Sequence, residues 1–278
     1  MKKIGAILLT ITMGLSLFVG CGEKKIDSES TKNTSTTESK TDNSLSRVKE
    51  SGKLVIGLDD AYPPMEFRDE KNNIVGFDID LANEIAKKLG VKLDIVTTEF
   101  NGILLALQSK KFDMIMSGLS ITDERKKSIG FSEPYVMGGQ VIAVKSGNDS
   151  IKTLADLKGK TIGCQLGSTG QKAAESNLKD IKELKKYGKI TEAFSELAIG
   201  RVDAVIMDAQ VGGYYISKKP GEFVVLDEMV SEEPMGIGYR KEDVELKDEV
   251  QKAVNGLKED GTLSKLSVKW FGYDAYKK

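Results

Sequence analysis

Histidine is absent from the 278-residue chain. Without an imidazole there is no Ser-His-Asp or Cys-His catalytic group, no His-ligated zinc and no HExxH protease motif. Only two cysteines occur, Cys21 and Cys164, too few for a Cys-ligated structural zinc or a disulfide framework. An excess of either charge is also lacking: 41 Lys plus Arg against 42 Asp plus Glu leave a net charge of −1. That balance gives no electrostatic reason to expect nucleic acid as a partner. There is no P-loop match and no Gly-x-Gly-x-x-Gly after a strand. No metal cluster is visible either, so neither cofactor nor enzyme chemistry is expected. What is present is the balance of a soluble globular protein, 40% hydrophobic and 30% charged, long enough for one large domain or two ordinary ones.

The N-terminus departs from that composition. Met1-Lys2-Lys3 is short and basic, and residues 4–19 are almost wholly apolar. With the small residue Gly20 after it, this reads as a signal peptide over 1–20. An uncleaved membrane helix is the competing reading, but the run is short for a span. Val19-Gly20-Cys21 resembles the lipobox of bacterial lipoproteins, with Phe18 where leucine is usual. The resemblance implies that Cys21 is the lipidated, palmitate-bearing first residue of the mature chain, so Cys164 has no intramolecular disulfide partner. Residues 22–46 carry 11 Ser or Thr in 25 positions and no aromatic. Such a segment buries too little apolar surface to offset its ordering entropy. Residues 21–46 therefore read as a disordered tether from a lipid anchor.

From Arg47 onward apolar runs and helical stripes alternate. KLVIGLD (53–59) reads as a buried strand. Ile79, Leu81, Ala82, Ile85, Ala86 and Leu89 lie at helical spacing, with Gly90 as a C-terminal cap. Strands are expected over 92–97, 113–117, 141–145, 161–165 and 202–207, and helices over 102–110, 168–178, 191–199, 244–258 and 262–270. This alternation argues for an α/β fold with largely parallel sheets. A weak echo links LQSKKFDMIMS (107–117) to AIGRVDAVIM (198–207), each pairing a helix end with an apolar strand led by Asp113 or Asp203. Chance similarity of two such units competes with two related lobes.

Six segments, GLDDAYPPMEF (57–67), GFDIDLANEIAKKLG (76–90), SGLSITDERKKSIGFSEPY (117–135), DLKGKTIGCQLGSTG (156–170), GRVDAVIMDA (200–209) and DGTLSKLSVKWFG (260–272), carry a resemblance. They are similar, in order and spacing, to the polar amino-acid family of ABC-transporter solute-binding proteins. The resemblance covers nearly all of residues 47–274. It implies a type II periplasmic-binding-protein fold, two Rossmann-like α/β lobes joined by two crossover strands. Lobe 1 would comprise 47–138 plus 234–274, and lobe 2 would comprise 139–233. The crossovers are expected near 137–141 and 233–237, with Gly138, Gly139 and Gly236 suited to a hinge. The partners implied are a free L-amino acid, ABC permease subunits and, through the lipid, the extracytoplasmic face of the membrane. The binding protein itself is expected to be a monomer.

The resemblance also assigns residues. A ligand carboxylate needs a planar cationic donor, and Arg125 can supply two parallel hydrogen bonds. The alternative for Arg125 is a surface salt bridge to Asp123 or Glu124. Thr122 or Asp123 can cap the turn that presents it, whose N–H groups favour an anion. Ser120, Ser168 and Thr169 match family donors, and helix capping is their ordinary role. The ammonium needs a carboxylate, matched by Asp208, which could instead cap a helix over 209–218. The carbonyls of Ser117 and Gly118 offer further acceptors. Tyr62 and Phe100 match rings that flank the ligand side chain, with core packing as the alternative. Asp59 matches an acceptor for the distal group of the ligand, and Gln165 and Met207 fall at variable positions that tune specificity. Glu66 and Glu84 read as structural and Cys164 as inert core. No Lys or Arg occupies the matched side-chain positions, so an acidic ligand is expected to be repelled by an unpaired Asp59. Basic amino acids rank first, glutamine second, and cystine or an apolar residue third. Met65 and Met207 add tolerance for shape. The rival readings are a dehydratase-like enzyme on the same scaffold, which would need an acid–base pair at the leaving group, and a sensor domain.

Overall fold

Short apolar runs ending in a polar residue become the strands, and the helical stripes become the helices that cover them. The computed structural model describes residues 42–277. The first part runs α1 (Ser44–Ser51), β1 (Lys53–Leu58), β2 (Ala61–Tyr62), β3 (Glu66–Arg68), β4 (Ile74–Val75), α2 (Phe77–Leu89), β5 (Lys92–Thr97), α3 (Ile103–Gln108), β6 (Met114–Ile115), α4 (Asp123–Lys126) and β7 (Gly130–Phe131). There follow β8 (Val136–Lys145), β9 (Thr161–Gln165), α5 (Thr169–Asn177), β10 (Glu183–Tyr187), α6 (Ile190–Ala198), β11 (Ala204–Asp208), α7 (Ala209–Lys218), β12 (Phe223–Val225) and β13 (Ser231–Met235). β14 (Gly238–Tyr239), α8 (Val244–Glu259) and α9 (Thr262–Phe271) close the fold. Signal-peptide residues 1–20 and the lipidation candidate Cys21 lie outside the described residues, as does most of the tether.

One sheet has the order β5-β1-β6-β14-β7, with β5, β1 and β6 parallel. A second has the order β10-β9-β11-β8-β12, with β10, β9 and β11 parallel and β8 antiparallel to β11. The chain enters the second sheet through β8 and returns through β13 to β14. β8 and β13 pair antiparallel, placing Ser231 opposite Gln140 and Met235 opposite Val136. The architecture is thus α/β, two lobes joined by two adjacent strands. A small sheet of β2, β3 and β4 lies in the first lobe. Leu54, Ile56 and Leu58 of β1 are fully buried in a cluster with Phe77, Leu81 and Ile85 of α2 and Leu246 and Val250 of α8. Each such side chain contributes about 1.5–3 kcal/mol by leaving water.

One expectation changes here. The tether, expected to reach residue 46, ends sooner, because α1 already opens at Ser44. Ser44 is buried and its hydroxyl accepts the Leu246 N–H at 3.1 Å, docking α1 on the start of α8. At the crossover an added Cβ at Gly139 would lie 2.2 Å from the Ser231 carbonyl oxygen, so only glycine lets β8 and β13 meet there. The echo between 107–117 and 198–207 has a shared structural role. The Asp113 N–H donates to the Val55 carbonyl at 2.8 Å while its carboxylate accepts the Val55 N–H at 3.0 Å. Asp203 does the same with Thr161, at 2.8 and 2.7 Å.

Candidate functional site

Parallel strands align their carboxyl ends, and polar side chains just past those ends share one crevice. Asp59 follows β1, Ser117 and Gly118 follow β6, Gln165 ends β9 and Asp208 ends β11. The ends of the two sheets are linked to each other through these residues. The Tyr62 hydroxyl donates to Asp208 Oδ2 at 2.5 Å, and Gln165 Nε2 donates to Asp59 Oδ2 at 2.5 Å. The Ser120 and Thr169 hydroxyls share a hydrogen bond at 3.1 Å.

Arg125 sits in the one-turn α4, whose N-cap is Thr122, with the Thr122 hydroxyl accepting the Arg125 N–H at 3.2 Å. The salt-bridge alternative does not hold, since Glu124 pairs with Lys172 and Asp123 with Lys126. The Arg125 side chain turns inward instead and is only 7% exposed. Its guanidinium donates to the carbonyls of Ser120 at 2.8 Å and Gly167 at 3.3 Å and lies 5.5 Å from the centre of the Phe100 ring. Burial lowers its pKa, opposed by the charges of Asp208 and Glu233.

Asp208 stands at the N-cap position of α7, yet its side chain makes no capping bond. It accepts from Tyr62 and, at 2.9 Å, from Gln140 Nε2. Burial pushes its carboxyl up to about 7, against the Tyr62 and Gln140 hydrogen bonds and the charge of Arg125. Gln140 also donates to the Thr169 hydroxyl at 3.1 Å. It stands opposite Asp208 in the β8–β11 register. That strand register brings it to the site, and no local sequence pattern shows it. Ser168 is the N-cap of α5, accepting the Gln171 N–H at 3.0 Å and donating to the Gln165 carbonyl at 2.8 Å. Its hydroxyl thus serves the helix.

Two buried carboxyls stand behind the site. The Ser117 hydroxyl accepts the Asp59 N–H at 3.0 Å and donates to Glu66 Oε1 at 2.8 Å. The Gly118 N–H donates to Asp78 Oδ2 at 2.9 Å, which also accepts the Tyr135 hydroxyl at 3.1 Å. Glu66 Oε2 and Asp78 Oδ1 are buried without a hydrogen-bond partner among the described residues, and the two carboxyls act on each other through their charges. Burial raises Glu66 well above the carboxylate range and pushes Asp78 up to about 6. Glu66, structural by its sequence, supports the site through Ser117, and no local sequence pattern marks Asp78 for its bond to Gly118.

The expectation of an unpaired Asp59 is overturned. Lys189 Nζ lies 2.7 Å from Asp59 Oδ1, and Asp59 is fully buried. Burial raises the Asp59 pKa while Lys189 and Gln165 oppose the rise. Met65 and Met207 are buried in the same apolar cluster as Tyr62. Cys164 is buried too, and burial pushes its thiol up to about 12, which leaves it unreactive. A cavity of about 550 Å³ lined by Phe67, Tyr214 and Trp270 contains none of the expected ligand-binding residues.

A family model described as bacterial extracellular solute-binding proteins, family 3, matches residues 54–273. The L-cystine-binding protein TcyJ of Escherichia coli (strain K12) is 36% identical over 234 residues, covering 84% of this chain and 88% of that protein. The arginine-binding extracellular protein ArtP of Bacillus subtilis (strain 168) is 38% identical over 227 residues, covering 80% and 88%. The crystal structure of the ancestral amino acid-binding protein AncCDT-1, described as a precursor of cyclohexadienyl dehydratase, is 42% identical. It superposes with a TM-score of 0.78 over 82% of this chain and 99% of that one.

Proposed function

Since the chain belongs to the bacterial extracellular solute-binding proteins of family 3, we propose that it captures one polar L-amino acid between its lobes, unchanged, and hands it to an ABC-transporter permease. The observation that carries this reading is the meeting of Arg125 and Asp208 in one buried network drawn from both sheets. Arg125 takes the ligand carboxylate, with Ser120 and Thr169 as neutral donors. Asp208 takes the ammonium, with the carbonyls of Ser117 and Gly118. Tyr62 and Phe100 flank the side chain, and Asp59 with Gln165 meets its far end. Basic amino acids come first and glutamine second. The relatives named for arginine and cystine support a polar ligand with donors at its far end.

The lobes divide as 47–138 plus 234–274 and 139–233, with α1 added to the first. Cys21 carries the lipid that holds the monomer at the extracytoplasmic face, and residues 21–43 form its tether. Among the described residues no helix is long and apolar enough to cross a membrane. A thermal-shift screen of the twenty amino acids with ornithine and cystine tests the ligand. A true ligand at about 100 times its Kd adds roughly 2.7 kcal/mol of stability. Glutamate or aspartate as the strongest stabiliser overturns the role of Asp59. Incubation with prephenate or arogenate separates binding from the turnover of a dehydratase.

A further inference from the structure

Lys189 places a cation at the far end of the site, and no local sequence pattern announces it. It stands just before α6, where its N–H donates to Glu192 Oε2 at 3.2 Å, so the start of that helix fixes its position. Its Nζ lies 2.7 Å from Asp59 Oδ1, 3.5 Å from Asp60 Oδ1 and 3.4 Å from Glu99 Oε1. The Lys189 side chain is 22% exposed, Asp59 is 0% and Glu99 63%, so the pair with Asp59 is the least screened of the three. Asp60 is also held by Arg68 Nε at 2.6 Å. The charge beside Asp59 is therefore already countered from within the protein.

We infer that Lys189 is a specificity-determining residue: by neutralising Asp59 it sets how strongly the site separates a cationic ligand side chain from a neutral one. This rests on the amino-acid reading above. An unpaired buried carboxylate draws in a guanidinium or ammonium and rejects a neutral isostere. With Lys189 on Asp59, an arriving cation meets a like charge and must share the carboxylate or displace the lysine. Displacement is open to it, because Asp60 and Glu99 already lie within 3.5 Å of Nζ. A basic ligand is thus admitted, but its advantage over an uncharged one of the same shape is reduced.

Arginine and citrulline are the probes, since they share a length and shape and differ in the charge of the distal group. Their Kd ratio is measured by calorimetry for the wild-type protein, Lys189→Met and Lys189→Arg, with circular dichroism to confirm that each variant folds. The Met variant is expected to raise the preference for arginine about tenfold, equivalent to about 1.4 kcal/mol. The Arg variant, which keeps the charge, is expected to stay within about threefold of wild type. A ratio in Lys189→Met that changes threefold or less, or falls, overturns the inference. So does loss of both ligands in that variant, or an Arg variant that behaves like the Met variant. A wild-type protein that binds neither probe nor any other amino acid removes the underlying reading as well, which distinguishes the two failures.

Discussion

A buried carboxyl is comfortable neutral and useful charged, and Asp208 stands between the two conditions. Its pKa is pushed up to about 7 by burial. An ammonium needs the ionised form, so affinity is expected to fall as pH drops below 7, with a slope approaching tenfold per unit. Calorimetry between pH 5.5 and 8.5 measures this, and a flat profile contradicts the role. Glu66 and Asp78 give a stability counterpart. Their folded-state pKa values are raised, Asp78 from 3.8 to about 6. The stability Asp78 contributes is complete below about pH 4 and is lost as pH rises through about 6, amounting to a few kcal/mol in order of magnitude, and that of Glu66 is lost as pH rises above the usual carboxylate range. Glu66→Gln keeps a neutral hydrogen-bonding partner at that position. Its Tm is therefore expected to fall less than that of wild type between pH 5 and pH 8, and equal slopes would count against the raised Glu66 pKa.

Among the elements, close approach and open space make opposite demands on glycine. Gly139→Ala forces a Cβ against the Ser231 carbonyl and is expected to cost about 1–3 kcal/mol in chemical denaturation. Gly213 lies inside α7 with nothing within 4 Å of an added Cβ, so Gly213→Ala is expected to stabilise by about 0.5–1 kcal/mol. Reversed signs would mean that the β8–β13 contact is misplaced. The same contrast explains what could be read from the sequence. β5 and β9 have the expected bounds, because fixed-period runs bordered by polar residues announce themselves. Asp59 and Asp208 were legible as the polar residues closing such runs. β10 was missed, since as an edge strand its residues are half-buried or exposed and show no apolar run. Gln140 and Lys189 were missed for another reason. Each meets its partner across the fold, 68 residues away for Gln140 and Asp208 and 130 for Lys189 and Asp59, and no local pattern encodes that pairing.

For the whole molecule, the bonds from Tyr62 to Asp208 and from Asp59 to Gln165 join groups on both lobes. A ligand held by Arg125 and Asp208 together favours the closed arrangement, because only there does it touch both lobes. Small-angle scattering is expected to show a smaller radius of gyration with saturating ligand, and unchanged dimensions would contradict closure. The central claim is that one amino acid spans Arg125 and Asp208. Its most direct test is calorimetric titration of wild type, Arg125→Ala and Asp208→Ala with the amino acid that stabilises the wild type most. Each variant is expected to lose about 2–5 kcal/mol of binding free energy, the cost of leaving a buried ligand charge without its partner. Near-normal affinity in both variants would place the ligand elsewhere.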